Sequence, residues 1–273
     1  MKHCVIVGGE KAGKKTFVGC LYAALISYVN KNPEFAKVYF SPEELNKLSK
    51  YYESVIVMED LVEKKEPITC FKFEYSIKRK SPGIFRFVFR EREYVKDTIY
   101  FHILSLPIQN MEESQYAISN ANIAICLLNM ETLTVPEVKR HYETLFVELL
   151  KLFRRTNIHY REEKFVIMIV YTKYDLAYKN VKIFPKIIDK QKKYNRYEYG
   201  SKILTTFFPE IAREVRKFME DKIRVMYFLS EVGRKNLGNE VFLSQDEISE
   251  KTYSYWEYYN LVGEILKYLA AFE

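Results

Sequence analysis

Short apolar runs alternate along this chain with longer stretches in which apolar residues recur every three or four positions. The apolar runs indicate β-strands. The last three of them are continuously apolar, which is typical of strands buried on both faces of a sheet. The predicted strands cover residues 3–7, 97–106, 121–129, 164–172 and 223–230. Strands of this kind, separated by helices, predict a mostly parallel sheet.

The stretches between these runs predict amphipathic helices. Residues 14–30 place Phe17, Leu21 and Leu25 on one face, and a helix over residues 42–62 has Ser41 as its capping residue. Further helices are predicted over residues 135–155, 211–222 and 250–272. Strand–helix alternation in this order predicts an α/β fold of three layers, with helices on both faces of the sheet.

One segment departs from the parallel pattern. Residues 68–77 and 84–91 alternate apolar and polar positions on either side of the turn sequence KSPG, which predicts an antiparallel hairpin at one edge of the sheet. We predict a single domain over residues 1–273. It would carry a mainly helical insertion at residues 33–67 and a basic insertion at about residues 179–202.

The composition agrees with a folded α/β protein, because hydrophobic residues make up 48% of the chain and aromatic residues 16%. The four cysteines are widely spaced without a metal-ligand pattern, so we expect reduced thiols in the core. No apolar run has the length of a transmembrane helix, and no secretory signal precedes the first strand. A soluble, cytoplasmic protein is therefore expected.

The net charge of +7 belongs largely to residues 179–202, where eight lysine or arginine residues stand against Asp189 and Glu198. Tyrosines are interleaved with these basic residues, so the segment would suit the backbone of a nucleic acid or an anionic membrane surface. A solvated basic loop is the interpretation we favour, because no nucleic-acid-binding motif accompanies the segment.

The turn after the first strand carries the most specific pattern in the sequence. It reads GGEKAGKKT, which fits the phosphate-binding pattern GxxxxGK except that a lysine follows where Ser or Thr is required. Glycines let successive N–H groups curl around phosphate oxygens at a helix N-terminus, and the lysine of GK would reach the β- and γ-phosphates. The alternative is a tight turn with a solvated lysine. The predicted phosphate-binding residues are Gly8, Glu10, Lys11, Ala12, Gly13, Lys14, Lys15 and Thr16.

Two later strand ends point to recognition of a base. Thr172, Lys173 and Asp175 follow a buried strand in the sequence YTKYDL. A carboxylate accepts hydrogen bonds from N1 and the exocyclic amine of guanine, and a lysine stem can cover the base. After the last strand, Ser230 and Glu231 stand where a backbone N–H would reach the guanine carbonyl. The alternative for the first motif is an ordinary helix cap.

With these three motifs in this order, the sequence resembles P-loop GTPases of the Ras-like or translation-factor class. The element order extends the resemblance over the whole chain, whereas specific residues match in the three motifs alone. The resemblance implies a three-layer P-loop fold of the Ras-like type, GTP or GDP as ligand, and a role as a molecular switch.

The sequence departs from that family at the phosphate end. Lys15 replaces the Mg²⁺-ligating residue of the family, and Ser105 and Ile108 replace the Asp and Gly of its DxxG motif. Gln109 falls where the resemblance implies a glutamine that orients the attacking water. Thr16 and Ser105 remain as candidate Mg²⁺ ligands, and the metal site is eroded, which lowers the expected rate of phosphoryl transfer.

We therefore predict a guanine-nucleotide-binding protein, similar to a small-GTPase switch, with slow or absent GTP hydrolysis. One alternative is a non-hydrolysing pseudo-GTPase that uses the fold as an interaction scaffold. Another is an active GTPase in which the helix begins one residue later, so that Thr16 ligates the metal. A protein partner is expected at the switch regions or at residues 33–67. ATP is less favoured as the ligand because it leaves Asp175 unexplained.

Overall fold

The computed structural model of the chain describes residues 1–57, 69–78, 94–108, 111–173, 196–230 and 253–271. Its strands are β1 (Lys2–Gly8), β2 (Ala36–Tyr39), β3 (Cys70–Lys78), β4 (Tyr94–Ser105), β5 (Ile123–Asn129), β6 (Val166–Thr172) and β7 (Arg224–Leu229). They form a seven-stranded sheet in the order β2-β3-β4-β1-β5-β6-β7. Pairing is parallel from β4 through β1 to β7, and antiparallel between β2 and β3 and between β3 and β4. The predicted α/β fold with a mostly parallel sheet and an antiparallel edge is confirmed.

Helices cover both faces of this sheet. They are α1 (Lys14–Lys31), α2 (Pro42–Val57), α3 (Met111–Asn120), α4 (Pro136–Thr156), α5 (Ile158–Arg161), α6 (Arg196–Phe207), α7 (Pro209–Glu220) and α8 (Tyr253–Ala271). The core on one face is built with α1, α2 and α8, and the core on the other face with α3, α4, α6 and α7. Side chains therefore pack in three layers, helix on sheet on helix.

The continuously apolar strands lie in the centre of these layers. All seven residues of β5 and all seven residues of β6 are buried. In β1, Cys4 and Ile6 face the first core while Val5 and Val7 face the second. Successive side chains of a strand point to opposite faces, so a strand covered on both sides must be apolar throughout.

The antiparallel edge differs from the predicted hairpin in its partners. Strand β3 pairs with β4 along its whole length, from Cys70 opposite His102 to Lys78 opposite Tyr94. Strand β2, which the pattern did not predict, pairs with the other edge of β3. It has four residues, the shortest length over which a period-two pattern indicates a strand. The predicted partner, residues 84–91, lies outside the described residues.

Other differences concern helices that the apolar pattern missed. Neither α3 nor α6 was predicted, and α6 overlaps the end of the basic segment, where the charges obscure its buried positions. The remainder of that segment and the end of the helix predicted to residue 62 lie outside the described residues. In the part of the chain that the structure describes, no helix combines the length and apolarity needed to cross a membrane.

The expectation that all four thiols lie in the core is wrong for Cys70, which is exposed near the N-terminal end of β3. The four cysteines carry free thiols, and Cys4 and Cys126 are buried. Cys70 lies on the same face of β3 as the exposed Lys72 and Glu74, opposite the face that packs Phe71 and Phe73 into the core. An apolar neighbourhood in sequence therefore does not mark its environment.

Candidate functional site

The residues predicted to bind a nucleotide follow the carboxyl ends of parallel strands, and the register brings these ends together. Gly8, the last residue of β1, is opposite Ser105 of β4 and Leu127 of β5. Asn129, the last residue of β5, is opposite Thr172 of β6. The loops after β1, β4, β5 and β6 therefore lie together at the carboxyl ends of the parallel strands, which is the edge of the sheet where open α/β folds bind their ligands.

The loop from β1 to α1 is a tight turn that contains two left-handed residues. Gly13 adopts a left-handed conformation with φ of 76° at the N-cap of α1, and Lys11 is also left-handed with φ of 55°. The N–H of Ala12 donates to the Gly9 carbonyl at 3.3 Å. Successive left-handed and right-handed residues turn backbone N–H groups toward one side, and this arrangement favours an anion.

The first turn of α1 adds positive charge to that side. The helix begins at Lys14 and has no acidic residue in its first turn. The N-terminus of a helix carries a partial positive charge, so lysines at positions 14 and 15 oppose the usual preference for acids there.

Lys14 folds back over the loop rather than extending into solvent. Its Nζ donates to the Gly8 carbonyl at 3.0 Å and to the Gly9 carbonyl at 2.8 Å. Burial lowers the pKa of the Lys14 ammonium, and the carboxylate of Glu10 partly offsets that effect. The ammonium is thus held against the carbonyls of Gly8 and Gly9, in the same loop whose N–H groups would contact a phosphate.

The first turn of α1 lacks a hydroxyl at the position where the family pattern places a Mg²⁺ ligand. Lys15 is the second residue of α1, and an ammonium has no lone pair to offer a metal. Because the helix begins at Lys14, Thr16 follows one position after the place that a metal-ligating hydroxyl would need. In the ranges that the structure describes, no group of three or more His, Cys, Asp and Glu side chains could hold a metal ion.

The end of β4 lies beside the phosphate loop. The N–H of Leu106 donates to the Gly8 carbonyl at 3.0 Å. Ser105 is exposed and offers a neutral hydroxyl where the family pattern has a carboxylate, while Ile108 is half-buried against the core. Gln109, the predicted water-orienting residue, lies outside the described residues, so its role stays a prediction.

The loop after β6 holds the predicted base-binding residues. Thr172 is 4% exposed, and its hydroxyl donates to the Leu128 carbonyl at 3.3 Å. Lys173 is left-handed with φ of 55°, and its Nζ lies 2.5 Å from Oε2 of Glu131. Thr172 therefore anchors the loop to β5, and the ion pair fixes the direction of the Lys173 stem. Asp175 lies outside the described residues.

Ser230 is the predicted third contact with a base, but its N–H and its hydroxyl are both hydrogen-bonded within the protein. Its N–H donates to the Tyr171 carbonyl at 2.8 Å, and its hydroxyl lies 2.7 Å from the hydroxyl of Tyr258 on α8. Burial raises the pKa of Tyr258, so this phenol stays protonated and can donate. Ser230 ties β7 to α8, and Glu231, which follows it, lies outside the described residues.

Three residues at this edge were not predicted from the sequence. Tyr142 of α4 donates its hydroxyl to the Leu127 carbonyl at 2.6 Å and accepts the N–H of Asn129 at 3.0 Å. The side-chain amide of Asn129 donates to the Lys11 carbonyl at 3.4 Å. Glu131 pairs with Lys173 as described above. Of these three residues, Asn129 is the one that the sequence could have indicated, because it ends a buried strand in the same way as Thr172 does.

A cleft of about 1180 Å³, which includes space open to solvent, lies between the phosphate loop, the end of β4 and α4. Gly9 and Lys11 line it on one side, Leu106 on another, and Glu131 and Tyr142 on the third. The flank of the loop that faces α4 is therefore accessible to a small molecule or to a partner's side chain. The chain matches no protein-family model and no curated protein in sequence comparison.

Proposed function

We propose that this protein binds guanine nucleotides through a P-loop of the Ras-like GTPase type and hydrolyses GTP slowly or not at all. The observation that carries the proposal is the loop from Gly8 to Lys14. It joins a buried strand to a helix N-terminus, contains two left-handed residues and holds its lysine over the backbone. A helix N-terminus preceded by such a turn favours an anion, which supports the proposal.

The topology of the sheet supports the same assignment. Strand β1 is central, with β4 on one side and β5 on the other. The chain leaves β1 toward the β2–β4 side of the sheet and later crosses to the β5–β7 side, so the loop after β1 lies at the point where the winding reverses. In open α/β sheets the crevice at such a switch point is the usual ligand site.

The choice of guanine depends on the TKxD sequence. Asp175 would accept hydrogen bonds from N1 and the exocyclic amine of guanine, a pair of donors that adenine lacks. Lys173 and Thr172 begin this motif, and their loop shares the sheet edge with the phosphate loop. The stem of Lys173 would lie along the base.

The slow or absent hydrolysis follows from the missing metal ligands. Phosphoryl transfer in such folds uses Mg²⁺ between the β- and γ-phosphates and a positioned water. Lys15 and the exposed Ser105 do not supply that ion with a ligand set. Two lysines at the start of α1 would instead neutralise the diphosphate directly, which stabilises a bound nucleotide without advancing its cleavage.

One observation favours a second candidate, a pseudo-GTPase that serves as an interaction scaffold. Lys14 already has two carbonyl partners within the loop, at 3.0 and 2.8 Å, so the turn is satisfied by the chain itself. In a scaffold of this kind Lys14 would stabilise the turn, and nucleotide would bind weakly or not at all.

Titration with fluorescent GDP, with a non-hydrolysable GTP analogue and with ATP separates the two candidates. We expect tight binding of both guanine nucleotides and weak binding of ATP. Replacing Lys14→Met should lower GDP affinity by about a hundredfold, because it removes a charge-assisted contact to phosphate. The matched control is Lys37→Met, an exposed lysine on the edge strand β2, which should bind like the wild type. Equal affinity of wild type and Lys14→Met, or no binding of GDP, would overturn the proposal.

A further inference from the structure

A short turn after β5 connects the two loops that the proposed function assigns to phosphate and to base. This 3₁₀ turn, Met130–Thr134, begins after Asn129, whose side-chain oxygen accepts the N–H of Glu131 at 3.1 Å. The Asn129 carbonyl also accepts the hydroxyl of Thr132 at 2.7 Å. Asn129 is 4% exposed; its bond with the Thr132 hydroxyl is buried and its bond with the Glu131 N–H is partly buried.

The start of this turn is attached to two different loops. The remaining side-chain group of Asn129, its amide nitrogen, donates to the carbonyl of Lys11 in the phosphate loop. Glu131, two residues later, pairs its carboxylate with the ammonium of Lys173 in the loop after β6, at 2.5 Å. A continuous series of contacts therefore connects Lys11 to Lys173 through Asn129 and Glu131.

The two lysines at the ends of this chain share an unusual backbone. Both Lys11 and Lys173 have φ of 55°. A left-handed conformation costs a residue with a side chain about 1–2 kcal/mol, and such residues persist where their surroundings hold them, often at ligand sites. The turn after β5 supplies a tether to each of them.

We infer that Asn129 and Glu131 are positioning residues that hold Lys11 of the proposed phosphate loop and Lys173 of the proposed base motif at a fixed separation for a guanine nucleotide. The inference deepens the proposed function and rests on it. Asn129 positions the phosphate loop through the Lys11 carbonyl. Glu131 acts through Lys173. Its carboxylate pairs with the Lys173 ammonium, so the aliphatic stem of Lys173 rather than its charged end would contact the base.

The phosphate end and the nucleoside end of the ligand would therefore be bound by different groups of the protein. The phosphates are left to Lys14, Lys15 and the loop N–H groups. Glu131 therefore affects the nucleoside end and has little influence on a diphosphate alone. Asn129 affects the diphosphate, since it holds the loop that cradles it.

The test compares GDP with inorganic pyrophosphate as competitors against fluorescent GDP. Glu131→Gln should weaken GDP by about fivefold, the value of a partly exposed ion pair, and leave pyrophosphate within about twofold. Asn129→Asp keeps the oxygen that caps the turn but replaces the donor that faces the Lys11 carbonyl. It should weaken pyrophosphate and GDP together by about tenfold. The control is Glu137→Gln, an exposed carboxylate in the first turn of α4, which should change neither.

A double-mutant cycle decides whether Glu131 works through Lys173. In a Lys173→Met background, Glu131→Gln should have no further effect on GDP affinity. Thermal unfolding of each variant shows whether a loss of binding reflects unfolding. The Asn129→Asp variant is matched to Asn129→Ser, which removes the amide donor without adding a charge and keeps a hydroxyl able to cap the turn. An effect of Glu131→Gln that persists beside Lys173→Met, or that weakens pyrophosphate equally, would overturn the inference while leaving the proposed function intact. Failure of the wild type to bind GDP would overturn both.

Discussion

Replacing Gly9 with alanine tests the packing of α4 against the phosphate loop. A Cβ at this position would lie 2.3 Å from Cε2 and 2.9 Å from Cδ2 of Tyr142. Non-bonded carbons prefer separations of about 3.5–4.0 Å, so a gap of about 1.5 Å must be opened. The ring cannot swing aside freely, because its hydroxyl is bonded to the Leu127 carbonyl and to the N–H of Asn129.

The cost of opening this gap follows from the contacts that must change. Overpacking of a dense core costs about 1–3 kcal/mol, and each hydrogen bond given up adds about 1 kcal/mol. We therefore expect Gly9→Ala to lower the free energy of unfolding by about 2–4 kcal/mol. That loss corresponds to a fall in melting temperature of roughly 4–8 °C for a chain of this size. Urea denaturation with an unchanged m-value measures the free energy, and a GDP titration measures the displaced loop.

Two variants separate contact from backbone strain. Combining Gly9→Ala with Tyr142→Leu should be no less stable than Tyr142→Leu alone, because the obstructing ring is gone. Gly13→Ala meets no atom within 4 Å but has φ of 76°, so it should cost about 1 kcal/mol whatever residue stands at position 142. A Gly9→Ala protein within 0.5 kcal/mol of wild type, taken as the usual range for inconsequential substitutions, would refute this packing argument.

Three further outcomes are expected. Burial and the neighbouring His3 hold the pKa of His102 at about 4, and burial lowers the pKa of His3. Both rings gain protons more readily in the unfolded chain, so the free energy of unfolding should fall by on the order of 2 kcal/mol as pH drops from about 6.5 to about 4. His102→Gln should flatten this profile, and an unchanged slope would contradict the assignment. A thiol reagent should label the exposed Cys70 in the folded protein, whereas Cys126, whose pKa burial raises to about 12, should react on unfolding alone; early labelling of Cys126 would speak against its burial. Lys15→Ser restores a metal-ligating hydroxyl, so its GDP affinity should rise on the order of tenfold on adding Mg²⁺, and a Mg²⁺-independent variant would count against that role.

The central strands and the tight turn between β1 and α1 could be predicted because their signals are local. The buried strand β1, Gly13 and Lys14 follow one another within a dozen residues, and each has a backbone or charge preference that sequence displays. The same holds for the strand ends at Thr172 and Ser105, since buried strands are recognisable as apolar runs. Parallel strands align their carboxyl ends, so these positions are expected to lie close together.

The contacts that connect the loops could not be predicted in this way. The amide of Asn129 meets the carbonyl of Lys11, 118 positions earlier in the chain. Tyr142 lies on a helix face like any core aromatic, and its fit against Gly9 depends on how α4 crosses the end of β1. Such contacts are set by strand order and helix placement, which no short pattern specifies. Ser230 shows the converse, because its local pattern suggests a ligand contact while β6 and α8 use its polar groups.

The most direct test of the account is the affinity of the wild-type protein for GDP, measured calorimetrically with Mg²⁺ and again with a chelator in its place. The account predicts tight binding that changes by less than about threefold between the two conditions, because Lys14 and Lys15 rather than a metal ion neutralise the diphosphate. The absence of GDP binding would contradict the proposed ligand. Binding that depends on Mg²⁺ by two orders of magnitude or more would contradict the assignment of the phosphate site, and would favour an active GTPase with Thr16 as its metal ligand.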